Sequence, residues 1–150
     1  MMSELEELYQ EVILDHNRSP RNFGLLESAN RRAEGYNPLC GDRVKVFVEV
    51  EDGRLRNLTF QGAGCAISTA SASLMTECLK GKTLQEAQQL MNTFRDLVTG
   101  QDEGQEAREV GKLAVFEGVK KYPVRVKCAT LAWHTLRAAL NQREDPVTTE

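Results

Sequence analysis

Residues 44–60 restrict the fold more than any other stretch. From Val44 the chain alternates through Val46, Val48 and Val50 with Lys45, Phe47 and Glu49 between them, reaches Asp52-Gly53, and returns through Leu55 towards Phe60. A period of two puts the four valines on one face of a strand, and Asp-Gly suits a two-residue hairpin turn, in which both central residues need positive φ. The pattern predicts strands over 44–51 and 54–60. A two-residue turn sets Glu51 opposite Arg54, Val50 opposite Leu55 and Glu49 opposite Arg56, so charge pairing and the apolar face agree.

Around this hairpin the periodicity is helical. Ser3 and Glu6 form a capping box, and Leu5, Leu8, Tyr9, Val12 and Ile13 recur at helical spacing, which predicts an amphipathic helix over 4–15, stopped at Ser19-Pro20. Residues 21–38 carry Asn, Gly and Pro without sustained periodicity and read as a long ordered loop. Ile67, Leu74, Met75, Cys78 and Leu79 share a stripe ending at Gly81, and Thr83 starts a second helix through about residue 94. Residues 100–104 are a polar break; helical patterns resume over 105–120 and 128–142, and 143–150 reads as a frayed tail. Strands first and helices later predict an α+β fold: one domain over 1–150, with a small antiparallel sheet carrying helices on one face.

Composition narrows the function. With 150 residues, 41% hydrophobic, 27% charged and a formal net charge of -3, the chain reads as neither disordered nor a basic nucleic-acid binder. It has no apolar run of roughly 18–20 residues and no basic, apolar leader at its start, so the expectation is a cytoplasmic protein without a membrane or nucleic-acid partner. In that reducing compartment its four cysteines read as metal ligands, catalytic thiols or core filler rather than disulfides, and only two histidines accompany them.

Three cysteines fall at element ends. Cys40 and Asp42 stand at i and i+2 just before the first hairpin strand, where extended backbone points both side chains the same way. Cys65 follows Gly62-Ala63-Gly64, between the second strand and a helix, and the hairpin brings 40 and 65 to one end of the sheet. Cys128 is expected to open the last helix behind Arg125 and Lys127, and a helix N-terminus and adjacent cations both favour a thiolate. Three thiolates and one carboxylate match the tetrahedral coordination zinc prefers. Singly, each cysteine also reads as a small buried hydrophobe. Cys78, on the apolar stripe, reads as core; His16 reads as a helix-end residue and His134 as a packed imidazole beside Trp133.

Four ordered motifs then carry a resemblance. Tyr9-x-x-x-Ile13-x-Asp15-His16-x-x-x-Pro20-Arg21-Asn22-x-Gly24, Asn37-Pro38-x-Cys40-Gly41-Asp42, Gly62-x-Gly64-Cys65-Ala66-Ile67-Ser68 and Lys127-Cys128-Ala129-Thr130-Leu131-Ala132-Trp133 together closely resemble the U-type iron–sulfur assembly proteins. The resemblance implies an α+β fold with one exposed site at Cys40, Asp42, Cys65 and Cys128. Scaffold members similar to IscU carry histidine directly before the last cysteine and a Leu-Pro-Pro-Val-Lys chaperone motif. This chain has Lys127 and Tyr122-Pro123-Val124-Arg125-Val126, with an inserted-looking polar segment over 96–109, features that look like the SufU branch.

The SufU resemblance implies bound zinc and sulfur transfer from a SufS-type cysteine desulfurase, activated in the process, with a downstream cluster scaffold as a further partner. It makes Cys40 the first choice of sulfur acceptor and Cys128 the second, and makes Asp42 a fixed or an exchangeable ligand. Arg125 and Lys127 would offset the negative charge of the site. The alternatives are a scaffold on which a [2Fe–2S] cluster forms on the same cysteines, an adaptor with structural zinc, and iron as the resident metal.

Overall fold

The computed structural model describes residues 4–39, 41–100, 111–142 and 146–148. Helix α1 (Glu4–Arg18) leads through a loop to strands β1 (Arg31–Asn37), β2 (Asp42–Glu51) and β3 (Arg54–Ala63). Helices α2 (Ala66–Leu79) and α3 (Leu84–Thr99), a 3-10 helix (Gly111–Lys121), helix α4 (Pro123–Leu140) and strand β4 (Val147–Thr148) follow. The sheet order is β3-β2-β1-β4, antiparallel except where β4 runs parallel to β1. The α+β expectation holds. Most of the expected break over 100–104, the first part of the 105–120 helix, the side chains of the α1 capping box and residues 143–145 and 149–150 of the tail lie outside what the structure describes.

The hairpin turns where its residues require. Asp52 and Gly53 have φ of 54° and 74°, Glu51 pairs Arg54 and Val50 pairs Leu55. One residue further the register departs from expectation, because a bulge puts Glu49 opposite Asn57 rather than Arg56. A bulge places two residues against one, so Arg56 drops out of the pairing and its guanidinium reaches Glu51, while Asn57 Nδ2 donates to Glu49 at 2.8 Å.

Residues 31–37 correct the long-loop reading: they form β1, whose inward positions are Ala33, Gly35 and Asn37. Small residues are needed there because α4 lies on this strand. A Cβ on Gly35 would meet the Thr135 hydroxyl and come within 3.1 Å of Leu131 Cδ1. Alanines 129, 132, 138 and 139 of α4 are buried and let the helix approach this closely. The last two described tail residues add to the same edge, Val147 beside Gly35 and Thr148 beside Tyr36, so this part of the tail is paired rather than frayed.

Helices cover the valine face. Phe94, Phe116, Leu74, Leu113, Leu131 and Leu136 are wholly buried, each worth roughly 1.5–3 kcal/mol of transfer energy. Phe94 stacks on Trp133 with centroids 4.2 Å apart and meets Phe116 edge-on at 5.8 Å. Thr83 and Glu86 cap α3 reciprocally, and Gly100, at φ 80°, ends it, beyond the expected residue 94. Two hydrogen bonds fix α2 against α4: Ser71 Oγ donates to the Ala129 carbonyl at 2.5 Å and accepts Trp133 Nε1–H at 2.9 Å. These bonds set the spacing of the elements that carry Cys65 and Cys128.

Candidate metal centre

The site gathers where β1 turns into β2, where β3 leads into α2, and beside the second turn of α4. Asn37 is fully buried; its carbonyl accepts Gly41 N–H at 2.8 Å and its Oδ1 accepts Leu39 N–H at 3.1 Å, while Gly41 turns at φ 76°. Asp42, directly across the ladder from Asn37, therefore starts β2 in a fixed position, 1% exposed. Its Oδ1 accepts Cys65 N–H at 2.9 Å, and its Oδ2 lies 3.8 Å from Cys65 Sγ.

Gly64 makes this seat possible. A Cβ there would stand 2.6 Å from Asp42 Oδ1 and 3.0 Å from its Cγ, so only glycine leaves the carboxylate room. No composition or periodicity signal marks this role; the glycine-rich run before Cys65 was the available hint. Cys65 itself is the N-cap of α2, its Sγ accepting Ser68 N–H at 3.4 Å, and it is exposed. It thus fills the capping position usually taken by Ser, Thr, Asp or Asn.

Cys128 corrects an expectation. Helix α4 begins at Pro123, with proline at its first turn where a missing N–H costs nothing, so Cys128 lies in the second turn rather than at the opening, and it is 4% exposed. The helix-end field fades within the first turn, so the dipole contribution anticipated for this thiol is smaller. Cysteine at a helix start is instead Cys65.

One ligand atom from each of Asp42, Cys65 and Cys128 lies within 4.8 Å of the others. Zn–S near 2.3 Å and Zn–O near 2.1 Å give tetrahedral edges of about 3.6–3.8 Å. The Cys65–Asp42 separation of 3.8 Å meets that length, so the donors fit a small tetrahedral cation with modest closing. Cys40, the fourth expected ligand and first-choice acceptor, lies outside the described residues.

Among the described residues, Cys78, His16 and His134 are not part of this cluster. Arg125 stacks over the Tyr122 ring at 4.8 Å, and Lys127 faces a groove on the outer side of α4. Cys78 packs partly buried against the core, and burial pushes its thiol pKa up, as a core role requires. His16 is no open helix-end residue: it is 3% exposed and its Nδ1 lies 2.7 Å from Ser73 Oγ. His134 lines the same groove as Lys127 rather than packing into the core.

Comparisons with known proteins identify the family. Residues 8–129 match the model of the NifU-like N-terminal domain. A relative named zinc-dependent sulfurtransferase SufU, from Bacillus subtilis, is 37% identical over 140 residues, 93% of this chain and 94% of that protein. The iron–sulfur cluster assembly scaffold protein IscU of Streptococcus pyogenes is 38% identical over 141 residues, 94% of this chain and 87% of its own. A crystal structure from Fervidobacterium islandicum, described as a candidate scaffold protein for the SUF system, superposes with a TM-score of 0.81 at 37% identity, covering 90% of this chain and 98% of that one. The chain belongs to the NifU-like N-terminal domain family, that of the SufU and IscU proteins of iron–sulfur cluster assembly.

Proposed function

We propose that this protein is a SufU-type sulfur acceptor: it holds zinc through Cys40, Asp42, Cys65 and Cys128, activates a SufS-type cysteine desulfurase, receives its sulfur, and passes it to a downstream cluster scaffold. The observation that carries the reading is the convergence of Asp42, Cys65 and Cys128 within 4.8 Å in a chain 37% identical to a zinc-dependent sulfurtransferase. Bound zinc supplies a Lewis acid that keeps thiolates deprotonated and shielded from oxidation.

The chain's own residues divide the work. Asp42, buried and clamped by Cys65 N–H, orients an oxygen donor toward the thiols. Cys128, beneath the surface, and Cys65, tied to Ser68 N–H, serve as anchors, and this supports Cys40 as the acceptor, with Cys128 second. The Cys40 thiolate attacks the outer sulfur of the desulfurase persulfide; the new S–S bond forms as the old one breaks, and the enzyme's cysteine leaves as thiolate. No oxidant or reductant is consumed.

Steady-state alanine production by a SufS-type desulfurase, with and without the protein, tests this. Wild type is expected to raise turnover, and Cys40→Ala to fold yet abolish the rise. Full activation by Cys40→Ala would remove the acceptor assignment. The 38% identity to IscU favours a second reading, a [2Fe–2S] scaffold, which predicts iron and charge-transfer colour in protein as purified.

A further inference from the structure

On the side of α4 away from the metal centre, Lys127, Thr130, His134 and Arg137 recur at three- and four-residue steps and so share one face. Arg95 and Thr99 of α3 face them, β4 closes the far wall, and the groove between encloses about 530 Å³. Its lining holds four basic groups, Arg95, Lys127, His134 and Arg137, and no carboxylate among the described residues. That concentration is notable in a chain of net charge -3.

Among the described residues these cations have little compensation. Arg137 donates to the neutral Asn92 Oδ1 at 2.7 Å. Arg95 has a long, exposed contact of 3.5 Å with its neighbour Asp96, which does not line the groove. Burial, followed by the Arg95 charge, lowers the pKa of Arg137; burial, then Arg137 and Arg95, lowers that of His134. A positive field held partly out of water is relieved by an anion.

We propose that this groove is a binding site for a phosphate-bearing small molecule. Two guanidinium groups match the bidentate geometry of phosphate oxygens, and a phosphate dianion balances more of the local charge than a single carboxylate can. The volume lies in the range of small-molecule sites, and Val126, Ala138 and Val147 supply apolar wall for the body of the ligand. Cys128 does not line the groove, so the site is separate from the metal centre and stands whether or not the sulfur-transfer reading holds.

The experiment follows the His134 ring resonances of zinc-loaded full-length protein by NMR during titration with phenyl phosphate, sodium benzoate or sodium chloride at matched ionic strength. Phenyl phosphate is expected to saturate the shift, to raise the His134 pKa, and to bind at least about tenfold tighter than benzoate. Arg95→Gln/Arg137→Gln is expected to weaken phenyl phosphate about tenfold or more with zinc content unchanged, and the exposed Arg95→Gln alone to weaken it detectably. Equal affinity for benzoate, a response that chloride reproduces, or unchanged binding in the folded variants would overturn the proposal. Tighter binding of an oligoglutamate peptide than of phenyl phosphate would do so as well, by marking the groove as a seat for an acidic protein segment.

Discussion

Gly64→Ala probes the seat of the metal centre without removing a donor group. The new Cβ would lie 2.6 Å from Asp42 Oδ1, 3.0 Å from Cγ and 3.3 Å from Cβ, against a carboxylate that is itself 1% exposed. The carboxylate has to move, and the 2.9 Å bond from Cys65 N–H is the interaction it loses first. A hydrogen bond to a charged group is worth about 1.5–3 kcal/mol, which converts to roughly a 10- to 150-fold loss of zinc affinity. Loss of an orienting partner around a metal ligand costs about 10- to 100-fold in general, in line with that figure. Competition with a chromophoric zinc chelator measures it, with Gly118→Ala as the control, since a Cβ there meets nothing within 4 Å. If folded Gly64→Ala binds zinc within twofold of wild type and of Gly118→Ala, the carboxylate is not held as argued.

Asp42→Ala is expected to fold, to retain zinc through thiolates at an affinity about tenfold or more lower, and to change the midpoint or plateau of desulfurase activation; an identical titration curve would deny the aspartate a role in exchange. Gly35→Ala forces a Cβ onto the buried Thr135 hydroxyl and should cost about 1–3 kcal/mol in urea denaturation, part of it recovered by Thr135→Ala. His16 should make stability pH-dependent. His16 Nδ1 lies 2.7 Å from Ser73 Oγ, which also accepts Arg21 N–H at 2.8 Å, and burial, then the Arg21 charge, hold the pKa of the ring below 6.5. A depressed folded pKa gives stability that is complete above about pH 6.5 and is lost as pH falls from there through the folded value. His134 shifts in the same direction, so the comparison of urea midpoints between wild type and His16→Leu isolates His16, whose removal should flatten part of that slope.

What could be read from the chain depended on whether the cause of a structure is local. The hairpin was legible because valines at period two and Asp52-Gly53 state strand and turn in adjacent residues, and Thr83 likewise announced the start of α3. Strand β1 was not, since its inward residues are small in response to Thr135 and Leu131, about a hundred positions away, and leave no hydrophobic period. The bulge at Arg56 likewise has no marker in the adjacent sequence. At α4 the first turn leaves Val124 57% exposed, so the apolar stripe begins later than the helix does, although Pro123 marked its start. For the site, element ends located Asp42 and Cys65, and the structure brings Cys128 to them from the second turn of α4. The buried partnership of His16 with Ser73, 57 residues apart, has no counterpart in sequence spacing.

The central claim is that three cysteines and Asp42 form one zinc centre, and metal analysis of untagged protein tests it most directly. The expected result is one zinc per chain in the wild type and in Cys78→Ala, whose truncation should cost only about 1–2 kcal/mol of stability, with zinc sharply reduced in Cys40→Ala, Cys65→Ala and Cys128→Ala. Zinc retained at wild-type content and affinity in all three of those variants would contradict the account.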